Sequence, residues 1–257
     1  MKTRFVLIPL LFLFSCQHEN KIKSFLKEIR AIIKDTKPLP KGDYSVDYVD
    51  ENSIIGIDIS HHQKDIIWED VSKWRNHKIQ FVYIKATEGA RGKGSKDTKY
   101  IENIKNAKQN GFSVGSYHYF RSTSSAEDQF KNFINVIDNY PQDLVPMVDL
   151  EQNDKYTKKK YIEEVNKFLI LLEKHFNQKP IIYSVTNFYN QYLSNNFLNY
   201  KFFLGFYNLE HEKISLKDRR NWDIWQFSQQ GKVKGISKNV DINVLNKKIQ
   251  LKDLLLK

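Results

Sequence analysis

The sequence predicts an α/β protein, an irregular TIM-like (β/α) barrel with short or missing helices. Two observations lead there. From Ile54 onward, short apolar runs alternate with longer amphipathic stretches, the order that builds a parallel sheet with helical crossovers. Acidic and aromatic residues then stand at the ends of successive apolar runs, where a barrel of this kind gathers its polar side chains. The 257 residues suit one such barrel, which commonly takes about 250. Hydrophobic residues at 40% and charged residues at 28% exclude a chain disordered by composition.

The elements follow in order. Lys2 and Arg4 precede an apolar run over residues 5–14, the charged and hydrophobic regions of an export signal. The run is too short to span a bilayer as a helix. The only cysteine, Cys16, follows directly, and Leu13-Phe14-Ser15-Cys16 resembles a bacterial lipobox, whose cysteine carries the lipid. Residues 1–16 are therefore expected to be a signal peptide with its lipobox, and the mature chain to be exported and held to a membrane of the cell envelope through lipid on Cys16. Simple secretion is the alternative. Residues 17–52 read as a tether. Within it, Ile22, Phe25, Leu26, Ile29, Ile32 and Ile33 mark one apolar helical face, which Pro38 and Pro40 end.

A catalytic barrel is expected over residues 53–250. Its strands are predicted near residues 54–59, 81–85, 113–119, 145–149, 180–183, 202–207, 223–227 and 239–242. Helices are predicted near 68–76, 98–110, 125–139, 159–176 and 187–193, with Gly111 placed as a C-cap. The first strand ends in Asp58 and the second runs out at Glu88. The third carries Tyr117 and the fourth ends in Asp149-Leu150-Glu151. Tyr183 and Tyr207 end the fifth and sixth, Trp225 and Gln226 lie on the seventh, and Asp241 on the eighth.

Asp149 and Glu151 are the sharpest pair. Residues two apart on a strand face the same side, with Cα atoms about 6.5–7 Å apart. Two carboxyl groups that close in a desolvated pocket have their pKa values pushed apart, so one keeps a proton near neutrality. Hydrolysis of a glycosidic bond needs such a set: an acid for the leaving oxygen and a carboxylate to assist.

Several blocks, in order, resemble glycoside hydrolase family 25, the Chalaropsis-type lysozymes. They are Gly56-Ile57-Asp58-Ile59-Ser60-His61-His62-Gln63, Phe81-Val82-Tyr83-Ile84-Lys85-Ala86-Thr87-Glu88-Gly89, Val114-Gly115-Ser116-Tyr117-His118-Tyr119-Phe120, Val148-Asp149-Leu150-Glu151, Lys179-Pro180-Ile181-Ile182-Tyr183-Ser184, Trp225-Gln226-Phe227-Ser228 and Val240-Asp241-Ile242-Asn243. His62 departs from the tryptophan often found there. The resemblance implies a modified α/β barrel and hydrolysis of the β-1,4 bond between N-acetylmuramic acid and N-acetylglucosamine in peptidoglycan. It implies Glu151 as general acid, Asp149 as partner to the acetamido group or water, and Asp58 and Asp241 as the rest of the acidic cluster. Tyr117, Tyr183, Tyr207, Trp225, Gln226 and Glu88 are expected to line the sugar subsites. No metal or cofactor is implied.

The net charge of +11 favours anionic partners, of which an acidic cell wall is one. No nucleic-acid motif is present, and a monomer is expected. His61, His62 and His118 lack metal-site spacing. The rival readings are a wall-binding lipoprotein without turnover and a hydrolase of chitin-like polymers. The absence of an Asp-x-x-Asp-x-Asp-x-Glu run counts against the second.

Overall fold

The computed structural model describes residues 48–90, 95–207 and 210–257. The expected signal peptide, Cys16, the amphipathic stretch 21–34 and the loop 91–94 lie outside them. Among the described residues no helix is long and apolar enough to cross a membrane.

Among the described residues nine strands form: β1 (Ile55–Ile59), β2 (Lys73–Trp74), β3 (His77–Glu88), β4 (Ser113–Tyr119), β5 (Met147–Asp149), β6 (Ile181–Val185), β7 (Phe202–Gly205), β8 (Ile224–Gly231) and β9 (Val240–Leu245). Eight of them close a barrel in the order β1-β9-β8-β7-β6-β5-β4-β3, with β3 returning to β1. Three full helices cover crossovers: α1 (Tyr100–Gln109), α2 (Ala126–Ile137) and α3 (Lys158–Phe176). The other connections hold only single turns, such as Thr186–Phe188 and Tyr189–Leu193. This is the irregular barrel with short or missing helices that the sequence predicts.

The sheet is not parallel throughout. Every neighbouring barrel pair from β1–β3 round to β7–β8 is parallel, but β9 runs antiparallel to both β8 and β1. The short loop 232–239 between β8 and β9 leaves no room for a crossover helix, so the chain can only turn back.

Side-chain parity splits the core in two. Ile57, Val82, Val148, Ile182, Leu204, Trp225 and Ile242 face outward and join the helices in one buried cluster. Phe81, Tyr83, Met147, Ile181, Phe203, Ile224 and Leu245 face inward and fill the lower barrel. The chain beyond residue 250 belongs to this plug. Leu254 is fully buried in it, and Val145 N–H donates to Leu254 O at 2.9 Å.

Local chemistry sets the helix ends. Ser125 caps α2 by accepting from Asp128 N–H, and Thr157 caps α3 by accepting from Lys160 N–H. Gly111 takes φ +83° after α1, as its C-cap position predicts. Lys158, Lys159 and Lys160 are the exposed first turn of α3.

One predicted helix is absent. Residues 68–76 form a 3-10 turn at Trp68–Asp70 and then a tight hairpin of β2 with β3. Trp68, Val71 and Trp74 have helical spacing and are all buried, but three apolar positions also suit a turn followed by a strand. Arg75 at φ +52° makes the hairpin bend.

Gly56 marks a close approach inside the plug. A Cβ there would lie 2.3 Å from the Phe81 ring. Gly56→Ala is expected to destabilise the protein by about 1–3 kcal/mol, read as a lower midpoint in chemical denaturation with an unchanged slope.

Candidate active site

Inward parity places polar side chains at the C-terminal mouth above the plug. Asp58 on β1, Tyr117 on β4, Asp149 on β5, Tyr183 on β6 and Gln226 on β8 all point there. Asp241 on β9, Glu151 just past β5 and Tyr207 just past β7 complete the ring. These residues line a polar cleft of about 220 Å³.

Asp58 and Asp241 sit opposite each other in the β1–β9 register and are hydrogen-bonded. Asp58 Oδ2 also accepts from Gln226 Nε2 at 2.8 Å and Asn243 Nδ2 at 2.9 Å. Tyr183 and Tyr207 hydroxyls donate to Gln226 Oε1 at 2.7 and 2.6 Å.

The acids are too crowded to ionise together. Burial pushes Asp149 well above the usual carboxylate range, and the charge of Glu151 adds to it. Burial raises Glu151 as well; the charge of Asp58 adds to this, while a Tyr183 hydrogen bond and Lys85 oppose it. Asp241 is pushed up to about 9 by burial and by Asp58. Asp58 is raised by burial against the pull of Asn243, Gln226 and Asp241. Asp149 Oδ1 is buried with no protein partner among the described residues.

Two expected subsite residues are placed elsewhere. Trp225 is fully buried on the outer face, with its indole N–H donating to Phe206 O at 2.7 Å. Its neighbour Gln226 faces inward, and adjacent strand residues cannot both do so. Glu88 is not part of the cleft lining. It binds Lys85 Nζ at 2.5 Å and Arg121 at 2.8 Å (Nε) and 2.5 Å (Nη2). These two cations outweigh its burial and hold its carboxyl below the ordinary range.

Other lining residues were not singled out from the sequence. Lys85 and Tyr119 line the cleft, and Lys85 Nζ and the Arg121 guanidinium lie 4.9 and 4.8 Å from the Tyr119 ring. Their signal was parity: Lys85 follows Tyr83 by two, and Tyr119 follows Tyr117. His62 is at the rim, its ring tilted against that of His61 with centroids 4.1 Å apart, and His61 Nδ1 lies 2.7 Å from the buried carboxyl of Asp97. His118 faces outward between Thr87 and Gln129, at 2.7 and 3.0 Å, and burial lowers its pKa to about 4. It is a neutral structural histidine. Among the described residues no group of three or more His, Cys, Asp or Glu could hold a metal ion.

The fold is an α/β barrel with a cluster of carboxyl groups in its C-terminal mouth. The chain belongs to the glycosyl hydrolases family 25, whose profile matches residues 57–236, and it is a glycoside hydrolase. It is similar to YegX of Escherichia coli O6:H1, 31% identical over 242 residues, 93% of this chain and 87% of YegX. It is also similar to Lysozyme M1 of Streptomyces globisporus, 27% identical over 77% of this chain and 69% of that one. A solved family 25 glycosyl hydrolase from Bacillus anthracis superposes with a TM-score of 0.69 at 28% identity, covering 81% of this chain and 96% of that chain.

The raised pKa of Asp241 has a stability consequence. A carboxyl whose folded pKa lies above its unfolded value stabilises fully only below the unfolded value, near 3.8, and that contribution is lost as pH rises toward about 9. Asp241→Asn removes the titration. Its melting temperature is expected to exceed that of the natural protein by a margin that widens from pH 4 to pH 9, measured by calorimetry across that range.

Proposed function

We propose that this protein is a muramidase that hydrolyses the β-1,4 bond between N-acetylmuramic acid and N-acetylglucosamine in bacterial peptidoglycan. The observation that carries the reading is the Asp149–Glu151 pair. Glu151 is half-buried in the cleft and its pKa is raised, as a proton donor requires. Asp149 offers a buried oxygen with no protein partner among the described residues. That oxygen accepts the N–H of the substrate's acetamido group. The likeness to a protein named Lysozyme M1 supports the same substrate.

In the proposed route the acetamido oxygen attacks the anomeric carbon. The bond from that carbon to the leaving oxygen breaks, and Glu151 gives its proton to that oxygen. Water then adds to the anomeric carbon and opens the oxazolinium ring, returning a proton to Glu151. The anomeric configuration is retained, and a product of inverted configuration would rule the route out. Asp58, hydrogen-bonded to Asp241, contributes the charge that keeps Glu151 protonated. Tyr117, Tyr183, Tyr207 and Gln226 bound the sugar site. We further propose that the protein acts as a monomer, exported and tethered through lipid on Cys16.

Purified peptidoglycan should yield new reducing ends that appear as reduced muramic acid after borohydride treatment and mass spectrometry. Glu151→Gln should lower the rate by about 10²–10⁴-fold while sedimentation with peptidoglycan persists. Reduced glucosamine ends would overturn the bond assignment, and binding without any new ends would favour a wall-binding protein. For the tether, cells fed labelled palmitate should label the natural protein and not Cys16→Ser.

A further inference from the structure

The acidic cluster is held by amides as well as by its own hydrogen bonds. One oxygen of Asp58 accepts two N–H bonds, from Gln226 Nε2 at 2.8 Å and from Asn243 Nδ2 at 2.9 Å. Asp241 bonds the same carboxyl group from the neighbouring strand. An amide nitrogen only donates, and donation to an ionised oxygen is stronger than donation to a neutral one.

Both amides have fixed orientations. The Tyr183 and Tyr207 hydroxyls meet Gln226 Oε1, which leaves its nitrogen toward Asp58. A flipped Gln226 would set its oxygen against a carboxylate oxygen. Asn243 is fully buried, and its Oδ1 has no protein partner among the described residues. Its nitrogen still turns to Asp58, a choice that charge on Asp58 explains.

We propose that Gln226 and Asn243 are positioning residues that hold Asp58 as the ionised member of the Asp58–Asp241 pair and leave the pair's one proton on Asp241. The other groups on the cleft fit that assignment. Lys85 faces it from β3, Tyr117 from β4, Asp149 and Glu151 from the end of β5, Tyr183 from β6 and Tyr207 past β7. His62 stands on the turn after β1, and burial with nearby His61 and Lys85 lowers its pKa. Lys85 is already bound to Glu88. The amides are therefore the direct partners of the Asp58 charge.

The consequence rests on the muramidase reading: the fixed charge of Asp58 raises the pKa of Glu151 and preserves the acid to higher pH. The assignment itself does not need turnover. Carboxyl-labelled aspartate, followed by carbon NMR across pH, reads it directly, with Asp58→Asn and Asp241→Asn assigning the signals. At pH 7 Asp58 should show a carboxylate shift and Asp241 a carboxyl shift. In Asn243→Leu, and separately in Gln226→Leu, Asp58 should ionise about one unit higher. In the same variants the alkaline limb of kcat/KM should move to lower pH, so that activity at pH 8 relative to pH 5 falls about tenfold.

A purely structural role would lower activity equally at all pH and leave the Asp58 titration in place. That result in both variants, or a protonated Asp58 beside an ionised Asp241 at pH 7, overturns the proposal. Absence of muramidase activity with the expected titrations would overturn the functional reading and leave the positioning role standing.

Discussion

The barrel closes through a strand that runs the wrong way. β9 enters antiparallel between β8 and β1, and its register sets Asp241 directly across from Asp58. Parity then turns both side chains into the mouth, where Asp149 and Glu151 already stand. Four carboxyl groups in a buried mouth cannot all carry charge. Tyrosine hydroxyls, two amides and one lysine answer that crowding, and they divide the acids into those that hold a proton and those that give one up.

Such a cluster works against stability, so the frame around it has to be rigid. The lower barrel supplies this with a plug of aromatic and branched side chains, sealed from below by Leu254. Close packing there leaves little slack; Gly56, for instance, has Phe81 against it where a Cβ would be. The outer cluster fixes the other face of each strand. His118 belongs to that face, and its neutral ring joins Thr87 on β3 to Gln129 on α2 behind the cleft. Each buried large apolar side chain contributes about 1.5–3 kcal/mol, and the plug and mantle together offset the desolvated acids.

Around the acids lies a second ring of charge. Glu88 joins Lys85 to Arg121, and both cations sit close to the Tyr119 ring. Glu88 thus serves as an anchor. Lys85 remains on the cleft wall, where it lowers the pKa of Asp149 and Glu151 against the repulsion of the other carboxylates.

Most of the barrel was legible in the sequence, because alternation of strands and helices and the cap at Gly111 are local properties. The strand-end acids were legible for the same reason: each lies where an apolar run stops. Trp225 shows the limit. It is expected beside Gln226 in the sugar subsites, but strand parity turns neighbours to opposite faces, and the structure buries it behind the wall. The helix expected at 68–76 failed because three apolar positions do not separate a helix from a turn and a hairpin.

By itself the sequence determined which residues could face inward, since side chains alternate along a strand whatever surrounds it. It also determined the Asp149-Leu150-Glu151 spacing and the family blocks. Only the tertiary structure decided which inward residues meet. The Asp58–Asp241 pair lies far apart in the chain and depends on the direction and register of β9. The turn of Gln226 and Asn243 toward Asp58 depends on the fold bringing the Tyr183 and Tyr207 hydroxyls and the Asp58 carboxyl around them. Long-range register is fixed by the packing of the whole barrel, and no local stretch of sequence contains it.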